Sequence, residues 1–265
     1  MGDGAVEVRG VRLAYELRGE GPALVWGHGL TGSRERDDDL RPLDWDKLAR
    51  ATTLLRYDAR GHGCSGGSTV PADSSWSSLA RDQLALAEAL GIEGYVAAGA
   101  SMGCGTALHA AVLAPERVRA LLVVIPPTAW AARRARAQVW DELATEVEAT
   151  GGQAFLDAMA EEPPGPYRGS RRWHEAAARS ALGQAPARLA AALRGAATAD
   201  LPDPKELRAL AVPTLVLAWT GDPVHPLETA ERLVELIAGA ELVVADTADE
   251  LATWTDRALA FVASV

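Results

Sequence analysis

Gly99-Ala100-Ser101-Met102-Gly103 lies between a short apolar run, Tyr95-Val96-Ala97-Ala98, and an alanine-rich run, Cys104 to Leu113, that nothing breaks before Pro115. The order is that of a strand, a tight turn and a helix. A turn this sharp brings backbone segments close together, so only glycine fits at the flanking positions. It also lifts the Ser101 hydroxyl above the end of the strand, where a substrate can reach it. The bare pattern is a weak signal in a chain with 25 glycines. Its flanks give it weight, and they make Ser101 the candidate nucleophile.

Three further segments follow apolar, strand-like runs in the same manner. Gly27-His28-Gly29-Leu30-Thr31-Gly32-Ser33 follows Ala23 to Trp26, and Tyr57-Asp58-Ala59-Arg60-Gly61-His62-Gly63-Cys64-Ser65 follows Thr52 to Leu55. Gly221-Asp222-Pro223-Val224-His225-Pro226 follows Pro213 to Trp219. Taken in order, the four segments resemble the α/β-hydrolase superfamily, and within it the cap-bearing bacterial serine esterases and lactonases. The resemblance covers roughly residues 6–125 and 203–245. It implies an α/β fold: a mostly parallel, eight-stranded sheet with helices on both faces and a helical cap. It also implies that Asp222 is the acid of a catalytic triad. The backbone N–H groups of Leu30 and Met102 would form the oxyanion hole, where preorganised donors stabilise a tetrahedral intermediate.

One triad member is missing from its usual place. The family's histidine follows the last strand; here Ala240-Glu241-Leu242-Val243-Val244 leads into Ala245-Asp246-Thr247-Ala248-Asp249-Glu250-Leu251, with Glu250 where the histidine belongs. No histidine occurs after His225. A serine hydroxyl needs a neighbouring base that later returns the proton to the leaving group, and a base titrating near the working pH serves best. Histidine meets that demand; a glutamate, with an ordinary pKa of about 4.3, meets it poorly. Three histidines stand as alternative bases: His225, on the Asp222 loop; His28, beside the oxyanion loop; and His174, in the presumptive cap. His62 and His109 read as structural.

Composition bounds the rest. A chain of 265 residues accommodates one large α/β domain with room for an insertion. A net charge of −10 argues against nucleic acid or an anionic membrane as partners and leaves a small-molecule substrate. The two cysteines, Cys64 and Cys104, give neither a disulfide framework nor a metal spacing, and no metal or organic cofactor is implied. The start has no signal-peptide pattern and no run reaches membrane-span length, so the expected location is cytoplasmic. Oligomeric state is left open, a homodimer being one option.

The alternation of strand and helix holds over residues 1–125 and 205–265, the expected hydrolase core, and stops over 126–204, the expected cap. That segment is helical in composition, interrupted at Gly151-Gly152 and Pro163-Pro164-Gly165-Pro166. Trp130 and Trp140, with Trp219 after the seventh strand run, are candidate walls of a substrate pocket, along with Trp173 and Tyr167. Arg133, Arg134 and Arg136 read as a solvated basic face. Asp37-Asp38-Asp39 reads as an exposed loop near the pocket mouth, and Asp246, Asp249 and Glu250 as a solvated turn. The functional expectation is a hydrolase of a small ester, lactone or amide that uses Ser101 with an unconventional or impaired base. A diverged lyase, isomerase or cyclase, and a non-catalytic ligand-binding protein on the same fold, stand as alternatives.

Overall fold

Strands β1 (Gly2–Val8) and β2 (Val11–Arg18) pair antiparallel about Gly10, whose φ of +71° suits a residue without a side chain. β2 then pairs antiparallel with β4 (Thr53–Tyr57), after which every pairing is parallel: β3 (Ala23–Gly27), β5 (Tyr95–Ala100), β6 (Val118–Val124), β7 (Thr214–Trp219) and β8 (Glu241–Ala245). The order across the sheet is β1-β2-β4-β3-β5-β6-β7-β8. The computed structural model describes residues 2–158 and 165–265; Pro163-Pro164, read above as an interruption, lie outside them.

Parallel strands must be covered on both faces, and the period-2 geometry of a strand decides which side chain goes where. In β5, Tyr95 and Ala97 enter one core while Val96, Ala98 and Ala100 enter the other. β7 divides in the same way, with Val216 and Ala218 on one side and Leu215, Leu217 and Trp219 on the other. Helices outside the insertion pack on these faces. Two short ones precede β4, α1 (Arg34–Leu40) and α2 (Trp45–Ala49), and two longer ones flank β5, α3 (Trp76–Ala89) and α4 (Met102–Leu113). The first two were not legible in the sequence, being short and, for α1, polar without period. Ser33 and Asp44 cap them, accepting from the N–H groups of Arg36 and Lys47.

Between β6 and β7 lies a helical insertion: α5 (Trp130–Ala135), α6 (Ala137–Thr150), α7 (Gly152–Ala158), α8 (Arg171–Leu182), α9 (Pro186–Thr198) and the short α10 (Pro204–Arg208). It has a small core of its own, built on Leu143, Val147, Phe155, Leu189 and Leu193. Arg133 ties it together. This side chain is buried, not solvated as expected, and donates to the carbonyls of Thr128, Ala196 and Ala199 while its guanidinium lies 4.0 Å over the Trp76 ring. Two of those carbonyls are at the negative end of α9, which offsets the charge. After the insertion come α11 (Leu227–Leu236), α12 (Ala248–Ala252) and α13 (Trp254–Ala263). No helix among the described residues is long and apolar enough to cross a membrane.

Candidate active site

Ser101 stands at the join of β5 and α4 with φ +54° and ψ −111°, a region a residue with a side chain rarely occupies. The flanking glycines are sterically required. A Cβ on Gly99 would come within 2.5 Å of Gly103 backbone, and one on Gly103 within 2.0 Å of the Gly27 carbonyl oxygen. The expected close approach is therefore observed, between the elbow and the end of β3. Met102 is the first residue of α4, so its N–H has no acceptor within the helix. The Leu30 segment lies alongside: a Cβ on Gly29 would sit 3.4 Å from the Ser101 Cβ.

His225 faces this serine. Its Nε2 is 2.8 Å from Ser101 Oγ, and its Nδ1 is 2.7 Å from Asp222 Oδ2. A carboxylate can only accept, so in the neutral ring Nδ1 carries the hydrogen and Nε2 is left to accept from the serine hydroxyl. Asp222 is held from several directions: Oδ1 accepts from the N–H groups of Val224 and His225, and Oδ2 also accepts from the Trp219 indole at 2.9 Å. Burial would push this carboxyl up, but the facing imidazole, with the Val224 and Trp219 N–H groups, outweighs it and holds the group at about 2. Trp219 itself is fixed by stacking on Trp254, ring centroids 6.1 Å apart.

The other candidate bases are placed elsewhere. His28 has both ring nitrogens engaged, accepting at Nε2 from the Ala59 N–H and bonding at Nδ1 to the Gly29 carbonyl, so it joins two loops and cannot serve Ser101. His174 is exposed and lines the cavity without a hydrogen bond to the serine. His62 is buried, which pushes its imidazole down to about 3, and His109 bonds the Asp200 carbonyl.

Glu250 is engaged away from Ser101 and Asp222. Glu250 is the third residue of α12, where it accepts from the N–H groups of Asp246 and Thr247 and from the Thr247 hydroxyl, completing a capping box. Those donors, the Asp246 N–H foremost, lower its pKa, and neither Ser101 nor Asp222 is among its partners. The position is spent on starting a helix.

A cavity of about 400 Å3 opens over Ser101 and His225. Trp140, Trp173, Tyr167 and Trp219 line it, with Phe155 and Leu156 from the insertion. Trp130 does not: its indole donates to the Pro202 carbonyl and the ring packs against the sheet core. Asp37, expected on an exposed loop, is a buried residue of α1 that accepts from the Trp26 indole at 2.6 Å, while Asp38 and Asp39 pair with Arg56 and Arg179. The insertion also grips the loop after β3, since the Ser180 hydroxyl and the Gln184 amide both donate to the Thr31 carbonyl. Among the described residues no group of three His, Cys, Asp or Glu side chains could hold a metal ion.

The family model for the alpha/beta hydrolase fold matches residues 22–256. The chain belongs to the alpha/beta hydrolase family. Among curated relatives, an sn-1-specific diacylglycerol lipase of Mus musculus is 35% identical over 121 residues, 44% of this chain and 38% of its own length. The N-formylmaleamate deformylase of Pseudomonas putida is 31% identical over 137 residues, 50% of this chain and 48% of its own. The chain thus spans less than half the length of these relatives. Among solved structures, a hydrolase from Pseudomonas aeruginosa superposes with a TM-score of 0.80 at 25% identity, covering 99% of this chain and 97% of the other. A thermophilic esterase from Thermogutta terrifontis shares the fold, with a TM-score of 0.82 at 22% identity over 100% and 97% of the two chains.

Proposed function

We propose that this chain is a serine hydrolase acting on a small ester, lactone or amide, with Ser101 as nucleophile, His225 as base and Asp222 as the acid that orients it. The observation that carries the reading is the unbroken run of short contacts, 2.8 Å from Ser101 Oγ to His225 Nε2 and 2.7 Å from His225 Nδ1 to Asp222. His225 Nε2 takes the serine proton as Oγ attacks the carbonyl carbon. The oxyanion is met by the N–H groups of Met102 and Leu30. His225 then gives its proton to the leaving group, and water, activated by the same nitrogen, releases the acyl group. Residues 126–204 act as a cap, whose Trp140, Phe155 and Trp173 give the cavity apolar walls. A lipase and a deformylase among the relatives agree with acyl cleavage.

The test is covalent labelling by a fluorophosphonate, read by intact mass. Wild-type protein is expected to form a single adduct within minutes. Ser101→Ala should form none, and His225→Gln should label at least 10³-fold more slowly. Labelling of His225→Gln at the wild-type rate would remove His225 from the mechanism.

A further inference from the structure

One guanidinium in the cavity wall has no ion-pair partner among the described residues. Arg36, on the first turn of α1, lines the cavity that holds Ser101 and His225. Its Nη1 donates to Thr31 Oγ1 at 3.0 Å, its Nε is buried with no hydrogen-bond partner, and no carboxylate lies within 4.0 Å of it among the described residues. The other arginines around this loop are treated differently. Arg56 pairs with Glu16 and Asp38, Arg34 with Asp3 and Asp58, Arg179 with Asp39, and Arg60 with Asp82. Arg133, also at the cavity, spends its nitrogens on three carbonyls.

Neither acid adjacent in sequence pairs with Arg36, since adjacent helical residues do not face each other. Glu35 is exposed, and Asp37, which also lines the cavity and attracts the guanidinium through space, is directed to the Trp26 indole in a buried site that pushes its pKa up and so disfavours negative charge there. Asp157 also lines the cavity, but it is exposed and accepts from Gln153. The Trp173 ring, 6.0 Å from the Arg36 guanidinium, offers only a weak cation–π contact. Withdrawing a cation from water without a partner is costly. Its natural partner is a carboxylate, which a guanidinium grips by two parallel hydrogen bonds.

We propose that Arg36 binds a carboxylate carried by the substrate, so that the preferred substrate is a small ester, lactone or amide bearing an anionic carboxylate a few carbon atoms from the reacting carbonyl. The anchor supports a short spacing: Arg36 is held by Thr31, the residue after Leu30, so the guanidinium is tied to the same loop as the proposed oxyanion donor. The inference rests on the hydrolase reading above, and its test separates the two. kcat/KM is measured by pH-stat for monomethyl succinate and for methyl pentanoate, its uncharged counterpart of similar length, with wild type, Arg36→Met and Arg36→Lys. Wild type is expected to favour monomethyl succinate by roughly 10- to 150-fold, the range of a hydrogen bond to a charged group. Arg36→Met should abolish that preference and Arg36→Lys should retain part of it. Equal rates on both esters, or a preference for methyl pentanoate, would overturn the carboxylate site while leaving the hydrolase reading in place. Binding to Ser101→Ala, followed by tryptophan fluorescence, decides the same question without turnover. Monomethyl succinate should bind at least 10-fold more tightly than methyl pentanoate, and equal affinities would again overturn the site. Turnover of both esters that persists in Ser101→Ala would instead strike the nucleophile assignment alone.

Discussion

Replacing Asp222 by asparagine changes one atom, and the structure shows why that change should disable the site. Oδ1 accepts from the N–H groups of Val224 and His225, at 2.9 and 3.2 Å; Oδ2 accepts from Trp219 Nε1 and His225 Nδ1, at 2.9 and 2.7 Å. All four partners are donors, so an amide NH2 on either side confronts two N–H groups. If it replaces Oδ2, His225 regains a bond only by moving its hydrogen from Nδ1 to Nε2, and an Nε2–H cannot accept the serine proton. Turnover should fall roughly 10⁴-fold. The folded carboxyl is held at about 2 against an ordinary 3.8, which at ~1.36 kcal/mol per pH unit makes ionised Asp222 worth about 2 kcal/mol of stability. The folded value lies below the unfolded one. The contribution is therefore complete above about pH 4 and is lost as pH falls through 2. Acylation by 4-nitrophenyl acetate, followed as nitrophenolate release, measures the first effect. Urea melts of wild type and Asp222→Asn between pH 7 and pH 2.5 measure the second, and the gap between them should narrow on acidification. A variant within tenfold of wild-type acylation, or a stability gap indifferent to pH, would refute the reasoning.

Other expectations follow from positions already described. Gly103→Ala would set a Cβ 2.0 Å from the Gly27 carbonyl oxygen, so β3 or the elbow must shift by about 1 Å; roughly 10²-fold of acylation rate should be lost, along with stability in a thermal melt. Glu250→Ala should leave turnover within twofold of wild type and lower the melting temperature slightly, since the side chain caps α12 and touches nothing in the cavity. Arg133→Met, which strips three carbonyls of their donor, should cost about 2–4 kcal/mol in a urea melt.

Much of this was legible before any coordinates. The apolar runs located β3, β4, β5, β7 and β8, because buried parallel strands advertise themselves by continuous hydrophobicity. The elbow and both of its glycines were readable because steric exclusion leaves a one-letter signature. The base was less readable. His225 was one alternative among three, and the available signal was its place three residues beyond the acid in a loop closed by Pro223 and Pro226. What singles it out is the fold of that loop, where Asp222 accepts from the His225 backbone and ring together. Glu250 stands where the family pattern puts a histidine, but register along a pattern says nothing about side-chain direction, and the capping box with Thr247 engages it. Trp130, Arg133 and Asp37 failed for one reason: amphipathic and charged side chains are buried or exposed according to partners distant in sequence, which no local pattern reveals.

On the proposed mechanism, acid and base belong to a single four-residue stretch ahead of α11, and the chemistry is finished by residue 225. β8, α12 and α13 then supply no reacting group, though Trp254 of α13 steadies the Trp219 ring that donates to Asp222. Where a base hangs from a separate loop, the far edge of the sheet must keep its register for the proton relay to stay aligned. Here that edge is released from carrying the base, and α12 is free to vary while the relay stays in tune, provided Trp254 keeps its place under Trp219. The vulnerability is concentrated instead: one inserted residue between Gly221 and Pro226 would put acid and base out of step at a stroke.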